Sequence, residues 1–287
     1  MTAVVNSARG RNSYAVWQNL SLLGGFSVSC NGLSPLLTPA SQRLLIYLAL
    51  RGRDYSVRRV LAAGTLWPDV PEDRAQANLR SVLHRLEAAG RRAVRAGLVE
   101  LCLDDDVRVD LWEAEALAAR ILDRSAEPLE TDLDPSAIDI LAAELLPGWY
   151  EDWILAAVET WHQIRLHALE KLSHHLTVRG RFGDAMVAAL AAVRIDPLRE
   201  SAHAAVIQTH LAEGNQSEAL REYERYRELM LSELGLEPTV RLRRLLDGLM
   251  SPVDQSRPAS ATAGRQRERL RWASETDGVT AARFQRA

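Results

Sequence analysis

Gly180 and Gly214 lie 34 residues apart, and so do Asp184 and Glu218, and Ala185 and Ala219. A period of that length is one helix pair with its turns, a unit that cannot bury its apolar face alone and has to stack on a neighbour. The glycines permit the turns between helices, and the alanines let paired helices approach closely. Two repeats are clear, Leu169 to Ala202 and His203 to Leu236, with a degenerate one before them. The helix FGDAMVAALAAVRI is stopped by Asp196-Pro197, and Leu236-Glu237-Pro238 starts a closing helix to Met250. Before the repeats, helices are predicted over Asp110–Asp123, over Pro135–Leu146 (halted by Pro147-Gly148), and from Trp153 to about Val178. Ser125–Asp134 is an acidic connection between the first two.

The spacing is that of a tetratricopeptide array, which accounts for the second half of the chain only. The first hundred residues are built differently. Residues 1–19 read as a loose arm. From Leu20 the chain turns to β: LSLLGGFSVSC, then Asn31-Gly32 as a hairpin turn, then LSPLLT, an edge piece because of Pro35. Gly24-Gly25 falls inside the first strand and fits a bulge. Ser41 to Arg51 is a short apolar helix with Gly52 as its stop. Asp54 or Ser56 caps a helix from Val57 to Leu66, which ends at Trp67-Pro68. A second hairpin pairs Leu98–Leu103 with Val107–Val109 across Asp104-Asp105-Asp106. A hairpin, three helices and a hairpin are the plan of a winged helix-turn-helix, whose third helix enters the major groove while the ribbon touches backbone.

That third helix is Asp73 to Ala89, opened by Pro71-Glu72-Asp73 and closed by Gly90. At 3.6 residues per turn Ala75, Leu79, Val82, Leu83 and Leu86 share one stripe. Arg74, Ala77, Ser81, His84 and Arg85 occupy the opposite face, with Asn78 and Arg80 on its flanks and Glu87 off to one side. Small residues allow close approach to a groove, and the polar ones supply donors at its edges. Taken alone, the pattern also fits an ordinary solvated helix. Arg58 and Arg59 on the preceding helix are candidates for phosphate contacts, as are Arg91, Arg92 and Arg95 beyond Gly90.

The charge distribution favours the first of these readings. The chain of 287 residues carries −3 overall, which alone would argue against a polyanion partner. Residues 1–103 hold 13 arginines against 6 acids, net +7, whereas residues 104–250 hold 15 cations against 28 acids, net −13. The last 37 residues hold 7 arginines against 4 acids, net +3, with little apolar content, and read as a disordered tail. A basic front and an acidic middle point to a polyanion-binding module joined to one for another purpose. Cys30 and Cys102 are far apart, and neither a signal peptide nor an apolar run of spanning length is present, so free thiols in the cytoplasm are expected.

Chemistry finds little support. There is no G-x-x-x-x-G-K-[ST], no G-x-S-x-G and no H-E-x-x-H. Nineteen residues leave no room for a receiver domain ahead of the first strand, so phosphorelay control of the usual kind is not expected. His167 and His174, and His203 and His210, sit two helical turns apart, about 10 Å, too far to share one metal without a third element; they read as helix-surface or groove-lining. His84 differs in lying on the cationic face, as a phosphate or base donor or as a bystander. Trp149, Trp153 and Trp161 with Tyr150 read as core packing where the helical part begins, or as a partner-facing patch. Arg221, Arg225 and Arg227, alternating with Glu222, Glu224 and Glu228, read as a solvated face.

LLGGFSV (Leu22–Val28), QRLLIYLAL (Gln42–Leu50), LWPD (Leu66–Asp69), ANLRSVLHRL (Ala77–Leu86), VRVDL (Val107–Leu111), IDPLRESAH (Ile195–His203) and LGLEPTVRL (Leu234–Leu242) together resemble the Streptomyces antibiotic regulatory protein family. The resemblance spans about Leu20 to Met250. It implies an OmpR-type winged helix followed by a bacterial transcriptional activation domain of tetratricopeptide-like helices. The wing lacks the Gly-Tyr pair common in OmpR-type hairpins. The resemblance further implies a pathway-specific activator of antibiotic genes that binds promoter direct repeats in double-stranded DNA, as a possible pair of copies, and recruits RNA polymerase through its sigma factor.

The expected protein is thus mainly α: arm 1–19, winged helix-turn-helix (α+β) 20–110, all-α activation domain 111–250, tail 251–287. It is a cytoplasmic DNA-binding activator, not an enzyme, with no cofactor, metal or membrane partner. Its site residues are Arg74, Asn78, Arg80, Ser81, His84, Arg85, Arg58, Arg59, Arg91 and Arg92. The alternatives are a tetratricopeptide-based protein adaptor, or a small-molecule sensor, neither binding DNA.

Overall fold

The computed structural model describes residues 19–29, 34–52, 55–88, 93–247 and 249, apart from the side chains of Glu87 and Ala88. The expected arm before Asn19, the Asn31-Gly32 turn, Cys30, Gly90 and the tail lie outside the described residues. The chain divides into two units, residues 1–215 and 216–287.

In the first unit, β1 (Asn19–Ser21) pairs antiparallel with β2 (Ser27–Ser29), Leu20 opposite Val28. This hairpin closes at Gly24 and Gly25, with φ of +72° and +135°, where the sequence suggested a bulge inside a single strand. Two adjacent residues without Cβ take left-handed backbone at no steric cost, and closing there turns Leu20, Leu22 and Val28 inward. Ser34–Thr38 is irregular rather than a return strand. Helix α1 (Pro39–Ala49) starts from Thr38, whose hydroxyl accepts the Ser41 amide, and Leu44 through Ala49 are all buried.

The expected helix from Val57 begins later. Val57 and Arg58 form β3, with Val57 opposite Leu101, and α2 (Arg59–Leu66) follows without a side-chain cap. Ser56, offered above as that cap, donates its hydroxyl to Glu100 instead, at 2.6 Å. Asp54 lies outside the described residues. The second hairpin is also shifted. It joins β4 (Val94–Ala96) to β5 (Glu100–Leu103), in a sheet of order β3-β5-β4. Asp104–Asp106 does turn the chain, but β6 (Arg108–Val109) leaves to run parallel beside β1. Val94 lies across from Leu103, and Leu101 from Ala96 and Val57, so this register buries both leucines of β5.

Helix α3 (Glu72–Ala88) packs on α1 and α2, and α4 (Asp110–Leu122), α5 (Pro135–Ala142), α6 (Asp152–Val178), α7 (Phe182–Ile195) and α8 (Glu200–Glu213) follow. One apolar core runs from Leu20 to Ala202, with no seam after β6. Asp110 at the start of α4 accepts the Leu22 and Leu23 amides at 2.8 and 3.2 Å. The Trp112 indole donates to the Ala49 carbonyl at 2.8 Å, and the Gly24 amide reaches the Glu144 carbonyl at 2.7 Å. Tyr47 meets Trp153 edge-on at 5.4 Å, and Phe26 meets Trp149 at 6.1 Å. Trp161 is buried and donates to the Ala143 carbonyl at 3.0 Å. The tryptophans are therefore core, whereas Tyr150 is 80% exposed.

Helices α6, α7 and α8 pack as the repeat requires. Ala185, Ala188, Ala189 and Ala192 are fully buried, and Gly180 and Gly214 carry the positive φ of the two turns. His203, expected on a surface or groove, is buried with its Nε2 2.9 Å from the Pro197 carbonyl. In the second unit α9 (Gln216–Leu234) is followed by a short α10 (Val240–Arg244), shorter than expected, capped by Thr239. Glu222 is not on a solvated face: it is buried and pairs with Arg225. Arg227 joins α9 to Glu237 at 2.7 Å.

His175 on α6 gives one stability prediction. Burial, helped by Lys171 and Arg179, holds its imidazole below the ordinary histidine range, against a pull from the Ile121 carbonyl and Glu127. The folded chain thus takes the proton less readily than the unfolded one. The stabilising contribution is complete above the unfolded value of about 6.5 and is lost as pH falls through it towards the folded value. The thermal midpoint is expected to drop between pH 7.5 and 5.5, and the drop to be smaller in His175→Gln. Equal drops in the two proteins would remove His175 from the account.

Candidate nucleic-acid interface

The stripe Ala75, Leu79, Val82, Leu83 and Leu86 of α3 is buried throughout, none of the five more than 6% exposed. The opposite face is free. Arg74, Arg80, Ser81, His84 and Arg85 are exposed, and Gln76, Ala77 and Asn78 are half-buried along the flank. Among the described residues, the side chains of Arg58, Arg74, Arg80, His84 and Arg85 have no hydrogen-bond or ion-pair partner. By contrast Arg95, Arg108, Arg120, Arg179, Arg181 and Arg199 all sit in ion pairs. Unpaired guanidinium groups on one helix face keep every donor for a ligand. Ser81 differs from its neighbours, since its hydroxyl donates to the Ala77 carbonyl at 3.0 Å. It therefore presents an acceptor unless that bond turns.

A second cationic surface adjoins the helix. Arg58, Arg59, Val60, Gln76, Arg80, Leu98 and Val99 line an open cleft of about 470 Å³ between α2, α3 and the β4–β5 turn. The expected residues Arg58 and Arg80 are thereby brought together, with no acid among the lining side chains. Arg59 is partly engaged: its amide donates to the Val99 carbonyl and its Nη1 to the Gly97 carbonyl, both at 2.8 Å. It braces the turn while other guanidinium donors remain. Arg95 pairs with Asp105 through two bonds, at 2.5 and 2.7 Å, and so is not a free cation. Arg91 and Arg92 lie outside the described residues.

The sequence reading missed the wing tip. Gly97, Leu98 and Val99 make the turn of the β4–β5 hairpin, so the leucine expected to open a strand stands at its apex, 98% exposed. The signal was Gly97, a local breaker directly after the short β segment Val94–Ala96.

The model of the bacterial transcriptional activator domain matches residues 80–249. The chain belongs to that family. That membership agrees with the resemblance to the Streptomyces antibiotic regulatory type that the seven motifs carried. The match opens at Arg80, inside α3, and takes in β4, β5 and β6 as well as the helices after them. Regulatory protein AfsR of Streptomyces coelicolor is 30% identical over 240 residues, which cover 78% of this chain and 23% of that protein. The chain thus spans about a quarter of the length of that relative. Among solved structures, Mycobacterium tuberculosis EmbR in complex with a low-affinity phosphopeptide matches at a TM-score of 0.56 and 20% identity. The match covers 90% of this chain and 70% of that one, a likeness of fold: a winged helix followed by a helical domain. Among the described residues of this regulator no helix is long and apolar enough to cross a membrane, and no three metal-ligating side chains come together.

Proposed function

We propose that the chain is a sequence-specific DNA-binding activator, cytoplasmic and without enzymatic activity, that switches on an antibiotic gene cluster. In this reading residues 20–110 hold the duplex and residues 111–250 act on the transcription machinery, recruiting RNA polymerase through its sigma factor. Helix α3 lies in the major groove. Arg74, Ser81, His84 and Arg85 face base edges, Asn78 and Arg80 flank them, and Arg58 and Arg59 take phosphates. Two copies on a direct repeat would each use this face. The observation that carries the reading is the exposed face of α3, whose cations have no side-chain partner among the described residues although the molecule as a whole is acidic. A polyanion is the partner that such a face fits.

The test is selection of duplexes from a random pool by the intact chain, followed by titration of an enriched duplex across salt. Binding that weakens steeply with salt supports the reading; no enriched duplex and no shift at low salt would leave an adaptor or a sensor. Each neutralised phosphate adds about 0.9 to the slope of log affinity against log salt. Arg58→Ala is therefore expected to weaken enriched and scrambled duplexes alike and to flatten the slope by about one. An unchanged slope would take Arg58 out of the interface.

A further inference from the structure

The corner between α9 and α10 is more apolar than a solvated turn requires. Leu231, Leu234, Leu236 and Val240 there are all between 42 and 56% exposed. One such side chain on a surface is ordinary, whereas four in succession mark a contact. The corner is held in shape. Gly235 turns it with φ of +66°, its amide reaching the Leu231 carbonyl at 3.2 Å. Arg227 grips Glu237 through two bonds, at 2.7 and 3.1 Å, and Leu242 and Leu246, in and just beyond α10, are buried. A surface already ordered loses little conformational freedom on docking. Charges of both signs flank it: Glu228 lies one turn before Leu231, Glu233 beside Leu234, Arg241 beside Val240 and Arg244 one turn after it. All four are exposed, and among the described residues their side chains have no hydrogen-bond or ion-pair partner. These charges decide what the corner fits. The segment beyond Met250 holds 7 arginines against 4 acids and would bring like charge to Arg241 and Arg244. A partner of single sign meets repulsion from one pair or the other. A twofold axis sets a patch against itself, so an apolar centre with acids on one element and arginines on the other is its own complement.

We propose that two copies of the chain pair through this corner about a twofold axis. The four apolar side chains of each copy form the shared centre, and the acids of α9 face the arginines of α10 across it. The pairing itself needs no DNA. In the DNA-binding reading it is distinct from any contact between tandem copies on a direct repeat, which are related by a shift along the duplex and meet through unlike surfaces. There it links two DNA-binding units and raises their joint affinity for two operators.

The experiment is sedimentation of the intact chain over a range of micromolar concentrations, without DNA. The wild type is expected to shift from single copies to pairs as concentration rises. Leu236→Asp is expected to weaken association by at least about tenfold, with its thermal midpoint at low concentration unchanged. Two charge-reversed forms locate the contact: Glu228→Arg with Glu233→Arg, and Arg241→Glu with Arg244→Glu. Each alone is expected to stay single, and a mixture of the two to form mixed pairs. A wild type that stays single at every concentration overturns the proposal. So does pairing that survives Leu236→Asp and both reversals, which puts the contact elsewhere. Pairing that appears only once residues 251–287 are removed gives the corner to that segment and overturns it too. A mixture that fails to pair, from forms that keep the wild-type midpoint, has the same consequence. None of these outcomes touches the DNA-binding reading, which stands or falls on the selection of duplexes.

Discussion

Arg85→Ala is expected to weaken binding to an enriched duplex by roughly five- to a hundredfold while changing binding to a scrambled one far less. Arg85 lies in the last turn of α3, exposed and unpaired, on the face opposite the buried Leu79, Val82 and Leu86. A guanidinium there can present two parallel donors to O6 and N7 of a guanine. Such a pair discriminates by about 1–3 kcal/mol against a wrong base, and every 1.4 kcal/mol is about a factor of ten. A phosphate contact by the same group would act on all sequences equally. Equal losses on the two duplexes would make Arg85 an anchor and move the reading of sequence elsewhere on the helix. Arg85→Lys separates charge from shape: it keeps the cation and loses the fork, so it should retain the scrambled-duplex affinity and lose most of the preference.

The second large effect concerns stability. Asp110→Ala is expected to lower the thermal midpoint by roughly 5–15 °C, from a loss of about 2–4 kcal/mol. The Asp110 carboxylate accepts three amides, those of Leu22, Leu23 and Leu111, at 2.8, 3.2 and 2.7 Å. Leu22 and Leu23 lie just beyond β1, and Leu111 follows Asp110 in the first turn of α4, so one side chain ties the front hairpin to the helices that follow. Burial holds this carboxyl above the ordinary carboxylate range although the three amides pull it down. Removing it leaves amides without acceptors in a half-buried place, which costs more than the bonds themselves contribute. Asp110→Asn retains an acceptor oxygen and should recover most of the loss. A midpoint for Asp110→Ala within a degree or two of wild type would show that the hairpin is held by packing alone.

Periodicity carried most of the architecture. The buried stripe of α3, the alanine-lined contacts of α6, α7 and α8, and the turns at Gly180 and Gly214 were all legible, because each repeats at a spacing with one geometric solution. Local β structure was not. Asn31-Gly32 competed with Gly24-Gly25 as a hairpin turn, and the strands are only three residues long, so no alternation was available to decide between them. Val107–Val109 reads as the mate of Leu98–Leu103 until β1, nearly ninety residues earlier, is seen to claim it; such a parallel pairing leaves no local mark. Within the candidate interface, the exposed cations of α3 followed from the helix period. The pairing of Arg95 with Asp105 and the bracing role of Arg59 did not, since both depend on the register of the wing. Nor did Leu98, whose exposure follows only from where that hairpin turns.

The central claim is that the unpartnered face of α3 lies in a major groove. Dimethyl sulfate methylation of guanine N7 on an enriched duplex, with and without the intact chain, tests it most directly, because N7 opens only into that groove. The expected result is protection of at least one guanine that persists in Arg58→Ala and disappears in Arg85→Ala. Binding with every guanine N7 still reactive, by protein whose α3 substitutions leave the fold intact, would contradict it.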